Sequence, residues 1–119
     1  MKRKLLVISN HSPEKWGNEQ KRGWEGIDYI PFPNIPAEAG IEEVIDIATP
    51  LCQKIGEWLK NNPTGKVNLQ GESSLCWIVS RSFESPVFVF PTTHRVAEEK
   101  IHPDGRVEKT TTFRFVRWR

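Results

Sequence analysis

Lys4-Leu5-Leu6-Val7-Ile8-Ser9 opens the chain with a nearly unbroken apolar run that stops at polar residues. A strand wetted on one face alternates apolar with polar side chains. A run without alternation belongs to a strand buried on both faces, the usual state in a parallel sheet covered by crossover helices. This segment therefore predicts an α/β domain, and the question becomes where the crossovers lie.

Ser12-Pro13 supplies an N-cap followed by proline at the first helical position, which predicts a short helix over residues 12–22. Residues 27–30 read as a second strand, closed by Pro31, Pro33 and Pro36, whose rings hold the backbone extended in a loop. From Ile41 the apolar positions Val44, Ile45, Ala48, Leu51, Cys52, Ile55, Trp58 and Leu59 step by threes and fours, the period of an amphipathic helix. Pro50 lies inside that run and predicts a kink or break near Ala48, and Asn61-Asn62-Pro63 ends it. Residues 67–70 follow as a third strand, 72–83 as a second long helix with Leu75, Cys76, Ile78 and Val79 inward, and 87–90 as a fully apolar fourth strand after Pro86.

The last quarter changes character. Residues 95–101 and 106–118 flank Pro103-Asp104-Gly105, a turn sequence with glycine at the left-handed position, and predict a β-hairpin. The turn sets Ile101 against Val107, Lys100 against Glu108 and Glu99 against Lys109. One apolar and two opposite-charge cross-strand pairs support that register, each worth about 0.2 to 1 kcal/mol. The chain of 119 residues has room for one domain, with neither repeats nor a linker. The expectation is a single Rossmann-like α/β domain over residues 1–119: a mostly parallel sheet, helices on both faces, and a hairpin at about 94–118 extending the sheet antiparallel.

Composition narrows the partners. Seventeen Lys and Arg against fifteen Asp and Glu leave a formal charge of +2, far below the basic excess of a protein that coats duplex DNA. No apolar run approaches the ~20 residues needed to span a bilayer, and the short run after Met1-Lys2-Arg3-Lys4 is too brief for a signal peptide, so a cytoplasmic protein is expected. Without secretion, Asn10-His11-Ser12 reads as a chance match to the glycosylation sequon. Cys52 and Cys76 lack CxxC spacing and read as reduced and buried. His11, His94 and His102 have no short mutual spacing and neither cysteine is near them in sequence, so no metal site and no cofactor is expected.

In open parallel sheets ligands bind beyond the carboxyl ends of the strands, where loops converge and helix N-termini point their positive ends. Three predicted strands run into polar clusters: Ser9-Asn10-His11-Ser12, Gln70-Gly71-Glu72-Ser73-Ser74, and Thr92-Thr93-His94-Arg95. Gly71 would let backbone approach a phosphate, with the amides of Ser73 and Ser74 as donors. The same residues also make an ordinary capped helix. The segment is neither GxGxxG nor a Walker loop, and it fails the GxSxG pattern of a hydrolase nucleophile. His11 and His94 are candidates for proton transfer or phosphate contact, with helix capping as the plain alternative for His11. Thr92 and Thr93 can equally be strand residues, Arg95 can pair with a carboxylate, and His102 reads as a solvated loop residue. Phe113, Phe115 and Trp118 interleave with Arg114, Arg117 and Arg119, a pattern that serves base stacking, sheet packing with arginine stems laid over it, or a dimer contact.

Asn10-His11, Gln70-Gly71-Glu72, Thr92-Thr93, Pro103-Asp104-Gly105 and Thr112-Phe113-Arg114-Phe115-Val116-Arg117, in this order, resemble the small stand-alone CRISPR-associated proteins of type III systems. These are related to CARF (CRISPR-associated Rossmann fold) domains, and several are ring nucleases. The resemblance implies a homodimer that binds cyclic oligoadenylate, in particular cyclic tetra-adenylate, across its two-fold axis and opens the ring without metal. The alternatives are a protein that binds the ring without cutting it, and an RNA-binding or interaction module. The small ring nucleases differ in their active residues, so the catalytic expectation rests on the three strand-end clusters of this sequence, with His11 or Thr93 nearest the reacting phosphate. Ser9, Asn10, Gln70, Gly71, Glu72, Ser73, Ser74, Thr92, His94 and Arg95 become the ligand-binding set.

Overall fold

The computed structural model describes residues 3–84 and 86–119. Met1 and Lys2, which begin the basic start of the chain, lie outside them. The protein is a mixed α/β chain in two compact units, one running to Val89 and the other Phe90–Arg119.

The first unit is built on strand β1 (Arg3–Ser9), which pairs in parallel with β2 (Trp24–Pro31) on one side and β3 (Lys66–Leu69) on the other, in the order β2-β1-β3. Leu5, Leu6, Val7 and Ile8 are all essentially inaccessible, the two-sided burial expected of their unbroken run. Leu6 and Ile8 join a core with Val44, Ala48, Leu51 and Ile55 of helix α2 (Ile41–Asn61) and Leu75 and Val79 of helix α3 (Ser73–Arg81). Strand order 2-1-3 makes the two successive crossovers run in opposite directions. Because each is right-handed, the 12–23 connection belongs on the face opposite α2. A cavity lined by Pro13, Lys21 and Ile27 fits this, since Ile27 is the register partner of Leu5 on the second face.

Three expectations change in this unit. The predicted helix over 12–22 is reduced to a 3₁₀ turn, Pro13–Lys15, and a four-residue helix α1, Asn18–Lys21. Its side chains are mostly exposed, with no apolar stripe to hold a longer helix in place. Pro50 does not interrupt α2, which runs unbroken for 21 residues. The Thr49 hydroxyl donates to the Ile45 carbonyl at 2.9 Å, and the buried face on either side of the proline supplies the packing that offsets its missing N–H. The predicted strand 87–90 shrinks to a single parallel bridge, Val67 to Phe88, with bonds from Val67 N to Val87 O and Val89 N to Val67 O. Pro86 and Pro91 bracket this segment and cannot donate to a ladder, so it stays short. Beside it Asn68 is fully buried, its amide donating to Val89 O at 3.0 Å while its Oδ1 has no partner among the described residues.

The second unit is an antiparallel ribbon of β4 (Pro91–Ile101) and β5 (Val107–Trp118). The register is as expected: Ile101 faces Val107, Lys100 faces Glu108 and Glu99 faces Lys109, with Gly105 at φ +87° in the turn. The ribbon reaches back to Pro91, longer than expected, and it is a two-stranded sheet of its own and not an extension of the parallel one. The segment bridging at Phe88 already lies against the outer side of β3. His102 is not simply solvated: its Nε2 lies 2.9 Å from Glu108 Oε2 and its side chain is only 22% exposed.

Candidate functional site

β1 is the central strand, and the chain leaves it toward β2 and later returns to β3 on its other side. Such a reversal of strand order is a topological switch point, and in open α/β sheets ligands bind beyond the carboxyl ends of the two strands that flank it, here β1 and β3. The polar turns that follow these strands, Ser9-Asn10-His11 and Gln70-Gly71-Glu72-Ser73-Ser74, are thereby brought together. The Gln70 amide donates to the Ile8 carbonyl at 2.9 Å, which ties one turn to the other.

Ser9 is the anchor of this rim. It is buried, its carbonyl accepts from Phe32 N at 3.0 Å and from the Tyr29 hydroxyl at 2.9 Å, and its Oγ accepts from the His11 amide at 3.2 Å. With both oxygens used in this way, Ser9 shapes the turn. Asn10 and His11 stand exposed beyond it. The capping alternative for His11 falls away, because Ser12 caps the 3₁₀ turn by accepting from Glu14 N.

At the end of β3 the Glu72 side chain is the N-cap of α3. Its carboxylate accepts from Ser74 N at 3.0 Å and Leu75 N at 2.9 Å, and the Ser74 hydroxyl also donates to it. The expectation that the Ser74 amide is a free donor for phosphate is therefore corrected: an internal anion already occupies it, as in an ordinary capped helix. Gly71 is also explained by packing. A Cβ there would stand 2.3 Å from the ring of Phe32, so glycine is needed for a core aromatic to lie under the turn.

Thr92, Thr93, His94 and Arg95 all lie in the second unit, at the start of β4, opposite Arg117, Phe115, Arg114 and Phe113 respectively. The register slips between Thr92 and Thr93, a bulge that re-aims the side chains there. Arg95 has no ion-pair partner among the described residues, so the carboxylate-pairing alternative does not apply.

The profile of the uncharacterized protein MJ1673 family matches residues 3–119. The chain belongs to that family. No curated protein matches it, and no solved structure does. The match spans both units, so the parallel sheet and the ribbon are parts of one family pattern in MJ1673-type chains.

The electrostatics of the rim follow from its bonds. Hydrogen bonds from the Ser74 hydroxyl and from the Leu75 and Ser74 amides hold the Glu72 carboxyl below its usual value. One turn into α3, burial pushes the Cys76 thiol up, opposed by a hydrogen bond from the Gly71 amide and reinforced by the nearby Glu72 charge. Cys76 is partly buried and packs against the hydrophobic core. Two contributors lacked a sequence signal. Tyr29 and Phe32 support the rim from β2 and its exit, and only the parallel pairing of β1 with β2 brings them there. Among the described residues no group of three or more His, Cys, Asp or Glu side chains is placed to hold a metal ion, and no helix is long and apolar enough to cross a membrane.

Proposed function

We propose that the rim at the carboxyl ends of β1 and β3 binds a cyclic oligoadenylate, of which cyclic tetra-adenylate is the expected form, and opens it to linear products. The observation that carries this reading is the switch point itself. It puts the exposed polar groups of Asn10, His11, Gln70 and Ser73 at the carboxyl-end rim, the position where open α/β sheets take nucleotide-like ligands. The ring is held through these side chains, with Glu72 keeping the turn in shape, because the Ser74 amide is already engaged. A homodimer would present this set twice to a ligand of two-fold symmetry.

The chemistry such a rim supports is transfer within the ligand. The ribose 2′-oxygen bonds to the adjacent phosphorus as its proton passes to a base, the bond from phosphorus to the 5′-oxygen breaks, and that oxygen takes up a proton. The products carry a 2′,3′-cyclic phosphate and a 5′-hydroxyl. His11 is the rim residue able to move those protons, and Asn10 and Gln70 orient the ribose, since alignment of nucleophile and leaving group can supply several kcal/mol of the barrier. Thr93, the other residue expected near the reacting phosphate, belongs to the second unit and is given no part in the chemistry of this rim.

Incubation of the protein with labelled cyclic tetra-adenylate in the presence of EDTA, followed by chromatography, tests the reading. Linear product is expected, reduced at least tenfold by His11→Ala. Bound but intact ligand at protein excess would make the protein a sink, and absence of binding would end the proposal.

A further inference from the structure

A cavity of about 620 Å³ opens at the amino ends of β1 and β3, the end of the sheet opposite the rim, and it lies wholly within the first unit. Its walls hold two cations. Arg3 is the first residue of β1 and Lys66 the first of β3. The parallel register pairs Lys66 with Leu5, which puts the Arg3 and Lys66 side chains on the same face of adjacent strands. No carboxylate lines the cavity, and neither cation is in an ion pair among the described residues. Lys66 is half-buried. Its ammonium donates to the Pro86 carbonyl at 3.0 Å, a bond that fixes where the charge stands but leaves its other N–H groups and the whole charge without a counter-ion.

Two like charges on neighbouring strands repel, and a cation taken partly out of water costs free energy until an anion faces it. An anion between Arg3 and Lys66 removes both costs. The turn entering β3 adds a fixed polar group. Gly65 N donates to Asn62 O at 2.8 Å, and a Cβ on residue 65 would stand 2.5 Å from the Trp58 ring, so this turn is pinned from below. Thr64, on the same turn, brings a hydroxyl to the cavity, and Leu59, Pro86 and Val87 supply an apolar wall beside it. Cavities of about 300 to 1,000 Å³ take small organic ligands, far more than a bare ion fills. We infer that this cavity binds an organic phosphate monoester, with the phosphate between Arg3 and Lys66, the Thr64 hydroxyl as a further donor, and the carbon body of the ester against Leu59, Pro86 and Val87. A guanidinium fork takes two phosphate oxygens at once and an ammonium adds a point charge. A phosphate carrying close to two charges balances both cations, where a carboxylate balances one. This site is separate from the rim and does not depend on the reading given for it.

The test is calorimetric titration of the full chain with phenyl phosphate at low ionic strength, with amide NMR shifts to place the ligand. Saturable binding is expected, with the largest shifts at Thr64, Gly65 and Lys66 and none at Asn10 or Gln70. Benzoate and inorganic phosphate should each bind about tenfold more weakly or worse, the first for want of charge and the second for want of an apolar body. Lys66→Gln removes the bond to Pro86 as well as the charge, so Arg3→Gln, at an exposed side chain, is the deciding variant. It should weaken phenyl phosphate binding about tenfold or more, with Arg3→Lys falling between, and circular dichroism confirms that both are folded. Absence of saturable binding, shifts centred on the rim, or unchanged affinity in Arg3→Gln would overturn the site. Benzoate binding as tightly as phenyl phosphate would overturn the assignment to a phosphate, and inorganic phosphate binding as tightly would overturn the apolar half of the site.

Discussion

Gly71→Ala separates two reasons for a glycine after β3: room for a ligand, or room for a neighbouring side chain. A Cβ at this position meets Phe32 Cε2 at 2.3 Å and Cδ2 and Cζ at 2.5 Å, against 3.4–4 Å for ordinary contact. The ring would have to retreat by roughly 1 Å, which drives it into the neighbours on its far side if it cannot turn. Phe32 is 8% exposed and belongs to the core, so the displacement is resisted by packed neighbours. Overpacking of this kind costs about 1 to 3 kcal/mol, or about 4 to 12 °C in Tm for a chain of this size. Urea unfolding of the wild type, Gly71→Ala, Phe32→Leu and the double variant measures it. Phe32→Leu alone should cost about 1 to 2 kcal/mol from lost apolar burial. In the double variant the two losses should fall short of additive by about 1 kcal/mol or more, because the smaller side chain leaves space for the new methyl. A Gly71→Ala protein as stable as the wild type, or strict additivity, would refute the packing account and return Gly71 to the ligand.

The remaining predictions concern groups whose partners are visible. Asp28 accepts from the Trp58 indole at 2.8 Å and pairs with Lys4 at 3.0 Å, and the Trp58 hydrogen bond leads the causes that hold its carboxyl below 3.8. A depressed carboxyl adds stability above its unfolded value that is lost as pH falls through the folded one; Trp58→Phe should move the Asp28 titration upward in NMR and, with the pair well exposed, cost less than about 1 kcal/mol from this bond. Glu72→Gln should lower Tm at pH 7, and the gap to the wild type should close as pH falls below the usual carboxyl value of 4.5, since the cap is strongest as an anion; a pH-independent gap would contradict this. Pro50→Ala, on the exposed face of α2, should raise Tm by restoring an intrahelical N–H, with up to about 3 kcal/mol available; a loss would mean that the ring makes a contact worth more than the bond.

The sequence by itself determined the elements whose signals are local. The unbroken run Leu5-Leu6-Val7-Ile8 specified a strand buried on both faces, the three-four spacing from Ile41 specified α2, and Pro103-Asp104-Gly105 with its flanking charges set the ribbon's register, because each depends on side chains close in sequence or directly paired. Tertiary structure decided what local signals leave open. Pro50 stays within a continuous helix because the buried stripe on both sides of it outweighs one lost bond, and residues 87–89 make a bridge in place of a strand because β3 and two prolines limit the ladder. At the rim, the motif Gln70-Gly71-Glu72-Ser73-Ser74 was legible as a polar turn entering a helix. Whether its amides face solvent or Glu72, and whether Gly71 makes room for a ligand or for Phe32, depends on which residues the fold carries to the same place from far along the chain. Packing is a property of neighbours in space, and Phe32 and Gly71 become neighbours only when β1, β2 and β3 lie side by side.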